Sequence, residues 1–104
     1  MTGPWSEEEL IIAMEFYRVC PRNTHTDSHK TCKQIAKMLA RSPGALEKTI
    51  QNIHYAATGG TGLGHGSKLI WSLIDQYKDD LSGVRKRAAA IRKKYGWPPL
   101  DCGN

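Results

Sequence analysis

The sequence predicts an all-α protein, with a tri-helical core followed by two further helices. Apolar residues recur at helical spacing in five segments, and no segment of useful length shows the alternation typical of a strand. A glycine-rich segment over 58–66 separates the third of these segments from the fourth. We therefore expect a helix-turn-helix core over 1–57 and a connector over 58–66. A two-helix basic extension over 67–104 should pack on the core and end in a loose tail.

The first helix begins with several consistent signals. Ser6 and Glu9 have the spacing of a capping box, in which each residue's side chain bonds the other's backbone amide. Three glutamates stand in the first turn, where they suit the positive end of the helix dipole. Pro21 should end the helix near Val19.

The second helix is predicted to be short. The polar segment over 21–30 reads as a loop, and Thr31 with Gln34 offers a second capping-box spacing. Apolar residues supply a buried stripe that ends near Ala40. Only about three residues then separate this helix from the third, which is the tight connection that a helix-turn-helix requires.

The third helix, over 43–57, is predicted to be the recognition helix. Ser42 is a favourable N-cap and Pro43 a favourable first residue. One side of the helix is apolar, and the opposite side carries no carboxylate, which suits a helix lying in the major groove of DNA. Gln and Asn can pair with adenine, and Lys or Arg with guanine or phosphate. The residues assigned to DNA are Arg41 in the turn, Ser42 and Gly44 at the helix start, and Lys48, Gln51 and Asn52 on the outer face.

The extension contains two predicted helices. Ser67 can cap the fourth, which Asp79 and Asp80 should end, and Ser82 can cap the fifth, which Gly96 should end. The apolar residues of these helices form a second apolar face. It could complete the core or form a homodimer interface, and the sequence leaves both open.

The net charge of +5 is unevenly distributed. Residues 57–104 carry eight Lys or Arg and four Asp or Glu, whereas residues 1–56 carry seven and six. Such an excess favours a polyanionic partner, although a solvated face that keeps the protein soluble explains it equally well. The candidate phosphate contacts are Lys68 beside the glycine-rich connector and Arg85, Lys86, Arg92 and Lys93 in the fifth helix.

Four zinc-competent residues lie within thirteen positions: Cys20, His25, His29 and Cys32. Two thiolates and two imidazoles suit tetrahedral zinc, but the spacing matches no established finger. We expect cysteines at helix ends and loop histidines instead, and no cofactor. The three cysteines of the chain cannot all pair within it, which agrees with a reducing compartment.

The first half resembles the Myb/SANT-like family of tri-helical helix-turn-helix domains. The resemblance rests on the run from Trp5 to Leu10, on Ile35-Ala36 with Leu39, and on the run from Arg41 to Ala45. The segments RSPGALEKTIQNI and GLGHGSKL are also similar to amino-terminal regions found next to HNH nuclease domains in bacterial restriction-type proteins. No nuclease module follows here, so this resemblance implies a DNA reader without the nuclease.

Together these features predict a small DNA-binding protein that is not an enzyme and whose partner is double-stranded DNA. The alternative is a protein-interaction adaptor or accessory module that binds no nucleic acid. No apolar run approaches the ~20 residues that cross a bilayer, and the amino terminus lacks the order of a signal peptide. We therefore expect an intracellular protein, in the cytoplasm or nucleoid, with no membrane partner.

Overall fold

The computed structural model describes residues 3–59 and 68–103. Within these ranges there is no strand, so the all-α class is confirmed. The elements are α1 (Glu7–Val19), a 3-10 helix (Arg22–His25), α2 (Lys30–Met38), α3 (Pro43–Ala57), α4 (Lys68–Gln76) and α5 (Leu81–Tyr95). The predicted Ser67 cap and residues 60–66 of the glycine-rich connector lie outside the described residues.

Helix α1 is the centre of the fold. Its seven consecutive residues from Leu10 to Phe16 are all buried, including the carboxylate residue Glu15. An amphipathic helix buries one face, so burial on all sides requires neighbours on several sides. Helices α3, α4 and α5 supply them. The second apolar face of the sequence therefore completes the core, and its buried residues are Ile70, Leu73, Val84, Ala88 and Ile91.

Two predicted caps are confirmed. Ser6 and Glu9 form the capping box of α1, with the Glu9 amide donating to Ser6 Oγ at 3.1 Å and the Ser6 amide donating to Glu9 Oε1 at 3.0 Å. Ser42 caps α3 by accepting from the Ala45 amide at 3.1 Å. These local signals fix where α1 and α3 begin.

Two other predicted caps are wrong. Helix α2 is capped by His29, whose Nδ1 accepts from the Thr31 amide at 3.1 Å, while Thr31 itself is fully buried. Helix α5 is capped by Asp80, which accepts from the Gly83 amide at 2.9 Å. Because the first residue of each helix lies earlier than predicted, Thr31 and Ser82 fall inside the first turn.

A short connection joins α2 to α3, as predicted. The chain reverses at Ala40, which has a positive φ of 57°, a left-handed conformation that is uncommon outside glycine. The next amide, of Arg41, donates to the carbonyl of Ala36 at 2.9 Å and so closes the end of α2. This turn sets the angle at which α3 leaves α2.

The predicted loose tail is instead tethered. Cys102 forms a disulfide with Cys20 at the end of α1, across 82 residues of sequence. Leu100 and Gly103 are partly buried beside it. The remaining cysteine, Cys32, is buried, and desolvation raises the pKa of its thiol to about 11. Two of the three cysteines thus pair, so their number no longer argues for a reducing compartment.

Candidate nucleic-acid interface

The outer face of α3 is open to solvent. Lys48 and Gln51 are exposed, whereas Asn52 is half-buried on a helix that also packs on α4. Gly44 is also exposed, and among the described residues only a carboxylate oxygen of Asp27, at 3.9 Å, lies near the position that a Cβ would take. The start of α3 therefore leaves room for close approach of another backbone.

Glu47 lies beside this face, where its charge would repel a phosphate. One carboxylate oxygen accepts from the Asp27 amide at 3.0 Å, and the other accepts weakly from the Gln51 carboxamide at 3.5 Å. Glu47 is half-buried and turned towards the loop between α1 and α2 by the first of these bonds. Lys48 is the next residue of α3 after Glu47, and it has no ion pair among the described residues.

Arg41 does not have the role that the sequence suggested. Its side chain is only 6% exposed and forms an ion pair with Glu9, at 2.9 Å from Nε to Oε2. Two further nitrogens donate to the carbonyls of Gly3 and Pro4, and the guanidinium lies 4.5 Å from the centroid of the Trp5 ring. Arg41 therefore fastens the amino terminus to the α2–α3 turn, with its hydrogen-bond donors directed inward.

Four of the six cations of α5 pair with glutamates of α1, including Arg85 and Arg92, which the sequence analysis assigned to phosphates. Arg92 is buried on Glu15, and Arg85 Nε donates to the same carboxylate at 3.2 Å. Arg87 pairs with Glu7, and Lys94 with Glu8 at 2.9 Å. Hydrogen bonds from Tyr95 and Lys94 lower the pKa of Glu8. The basic helix thus docks on an acidic one.

The other predicted cations, Lys68, Lys86 and Lys93, lie on helices other than α3. Lys86 and Lys93 are exposed on α5, which packs on α1, and Lys68 is exposed at the start of α4. Helix α3 packs instead on α1, α2 and α4. The structure therefore does not bring Lys86 and Lys93 onto the helix that carries Gln51.

A second set of cations, which the sequence analysis did not assign, lies on α2. Lys30, Lys33 and Lys37 are exposed and none has an ion pair among the described residues. Their spacing of i, i+3 and i+7 places them on one side of the helix, opposite buried Ile35 and Cys32. That spacing is visible in the sequence and could have identified this lysine stripe (Lys30, Lys33 and Lys37).

The four zinc candidates are not brought together. Cys20 is in the disulfide, Cys32 lies near the Pro43 carbonyl, and His29 caps α2. Nε2 of His25 lies 3.3 Å from the Phe16 carbonyl oxygen, and burial lowers the pKa of His25. Residues 3–59 and 68–103 contain no cluster of three or more His, Cys, Asp or Glu that could hold a metal ion.

A cleft of 610 Å³ opens between the end of α1, the 3-10 helix and α3. Its wall combines aromatic rings, cations and hydrogen-bonding groups. The Tyr17 hydroxyl and His54 Nδ1 are 2.9 Å apart across the cleft wall, and Arg18 donates to the Tyr77 carbonyl at 2.8 Å. The residues lining it are Tyr17, Arg18, Cys20, Arg22, His25, Thr26, Glu47, Ile50, Gln51 and His54.

Comparison with protein-family models, with curated proteins and with solved structures found no match to this chain. Among the described residues, no helix has both the length and the apolar character needed to span a membrane.

Proposed function

We propose that this protein binds double-stranded DNA, with α2 and α3 as a helix-turn-helix and α3 lying in the major groove. The observation that carries the proposal is the exposed outer face of α3, where Lys48 and Gln51 are accessible to solvent and the carboxamide of Gln51 is held only by a weak 3.5 Å hydrogen bond to Glu47. The short turn after α2 and the resemblance of the first half to Myb/SANT-like domains support it.

In this proposal each residue of the α3 segment that was assigned to DNA has a defined role. Gln51 reads a base edge, with half-buried Asn52 beside it, and Lys48 contacts guanine or a phosphate. Gly44 allows the duplex to approach the start of α3, and Ser42 contributes indirectly by capping that end of the helix. Phosphates on the flank are bound by the lysine stripe of α2 rather than by α5, because the stripe forms no ion pair with the described carboxylates.

The test begins with selection of bound sequences from a pool of random duplexes, followed by titration of the selected duplex at about 50 and 200 mM salt. We expect the affinity to fall steeply with salt. Lys48→Ala and Gln51→Ala should each cost about 1–3 kcal/mol of binding free energy on that duplex. Lys86→Ala on α5 is the matched control and should leave the affinity unchanged.

Two outcomes would end the proposal. If no duplex binds at low salt, the adaptor alternative takes its place. If duplex binds but Lys48→Ala and Gln51→Ala leave both affinity and sequence preference unchanged, α3 is not the reading helix. Circular dichroism of each variant confirms that the helices are retained, since both side chains are exposed.

A further inference from the structure

The cleft beside α3 has the size and composition of a small-ligand site. Its volume of 610 Å³ lies within the roughly 300–1,000 Å³ typical of ligand pockets. It is formed by residues of three separate elements: the end of α1, the 3-10 helix and α3. Cys20, one of the lining residues, is joined by its disulfide to Cys102, which fixes the chain where α1 ends.

Aromatic side chains form one part of the cleft wall. The ring of Tyr17 lies 5.7 Å from that of His54 and 5.9 Å from that of His25, measured between centroids. The hydrogen bond between Tyr17 and His54 holds two of these rings in place. Aromatic rings of this kind offer stacking surfaces for a nucleobase, and the buried side chain of Ile50 adds an apolar contact.

Polar groups that line the same cleft suit the edge of a base and its phosphate. Glu47 is held by the Asp27 amide, and a carboxylate accepts from the exocyclic amino group of a base. Gln51 offers both a donor and an acceptor at the mouth of the cleft. Arg22 is exposed at the rim and has no ion pair among the described residues, so its guanidinium is available to a phosphate.

The geometry points to a nucleotide site in this cleft, in which the base lies among Tyr17, His25 and His54 and its phosphate contacts Arg22. The nucleotide has two sources: a free mononucleotide, or a nucleotide extruded from duplex DNA bound to α3. The second source rests on the proposed function, and the first does not. Gln51 lies both on the outer face of α3 and on the cleft wall, which places the cleft beside the duplex.

The first experiment records amide chemical shifts of the whole protein with each of the four deoxynucleoside monophosphates. We expect shifts at the cleft residues. Arg22→Ala should weaken binding by at least about tenfold, as expected for loss of a charge-assisted hydrogen bond. Lys86→Ala is the control and should have no effect. Inorganic phosphate is titrated separately, and equal shifts from phosphate alone would overturn the assignment of a base to the cleft.

The second experiment tests the extruded nucleotide with 2-aminopurine placed in the duplex that the protein selects. Extrusion raises the fluorescence of this base, and Glu47→Gln should reduce that rise while duplex binding persists. Shifts from monophosphates without a fluorescence change support the free nucleotide, and the converse supports the extruded one. Absence of both effects overturns the proposal even if the duplex binds. Absence of duplex binding alone removes only the proposed function.

Discussion

Glu15 of α1 and Arg92 of α5 form an ion pair whose side chains are 3% and 6% exposed, respectively. Arg85 donates to the second oxygen of the same carboxylate at 3.2 Å, so Glu15 accepts from two cations of α5. Nε and Nη2 of Arg92 are buried without a partner among the described residues. The pair therefore fixes the position of α5 on α1, and removal of either member would leave a buried charge.

Replacement of Glu15 by Gln should lower the free energy of unfolding by about 3–5 kcal/mol, the cost of breaking a buried ion pair from one side. Urea denaturation followed by circular dichroism measures it. Lys93→Gln changes an exposed cation next to Arg92 and should alter stability by no more than about 0.5 kcal/mol. Equal losses in the two variants would show that the Glu15–Arg92 pair does not hold α5.

Replacement of Arg41 by Lys should destabilise the fold without weakening DNA binding. Lysine keeps the charge, but it cannot reproduce the paired contacts to Glu9 and the carbonyls of Gly3 and Pro4. We expect a loss of about 1–2 kcal/mol in unfolding free energy, by analogy with a partly buried charged hydrogen bond. A fall in duplex affinity with unchanged stability would instead return Arg41 to the interface.

The sequence predicted the helices and their starting caps where the signal is local. Ser6 with Glu9 and Ser42 with Pro43 act over three residues or fewer, and the structure confirms both caps. At α5 a competing local signal caused the error, because Asp80 is as favourable a cap as Ser82 two residues later. At α2 the cap is His29, a residue type outside the preferred set, so the sequence favoured Thr31 instead.

The assignment of charged residues failed because their partners are far away in sequence. Arg92 pairs with a residue 77 positions away, and Lys94 with one 86 positions away. Helical periodicity reports which face of one helix is polar, but not which other helix covers that face. The same applies to the disulfide from Cys102 to Cys20, since three cysteines allow several pairings.

Substitution of the lysine stripe by glutamine should reduce the salt dependence of duplex binding. Each lysine that contacts a phosphate contributes about 0.9 to the slope of log affinity against log salt. The triple variant of Lys30, Lys33 and Lys37 should therefore have a shallower slope and unchanged sequence preference. Lys86→Gln with Lys93→Gln on α5 is the control. A larger change in the control pair would return the phosphate contacts to α5.

Acidification should destabilise the protein in two stages. Burial lowers the pKa of His25 below its ordinary 6.5, so the unfolded chain takes up the proton at a higher pH than the folded one. Stability should therefore fall as the pH drops below about 6.5 towards the lower folded pKa. Burial raises the pKa of Glu9, but hydrogen bonds from Arg41 and Ser6 outweigh this and lower it below 4.5. A second loss should follow as the pH drops from about 4.5 through the folded pKa of Glu9.

Urea midpoints measured across this pH range separate the two stages. His25→Gln should flatten the dependence below about pH 6.5, and Glu9→Gln should flatten it below about pH 4.5. Each variant is the control for the other. A pH dependence that neither substitution changes would mean that other groups control acid stability.

Loss of the Cys20–Cys102 disulfide should lower stability more than any exposed substitution. The bond closes a loop of 82 residues, and the chain-entropy relation gives about 4.5 kcal/mol for a loop of that size. Cys102→Ser removes the bond and should release residues 98–103 from the end of α1, with faster amide exchange at Leu100 and Gly103. Cys20 would then be a free thiol beside the cleft.

The wild-type protein should contain one thiol that reacts only on unfolding, because Cys32 is buried and its pKa is raised to about 11. Three thiols titrated after unfolding without reductant, or equal stability of wild type and Cys102→Ser, would show that the tail is not tethered.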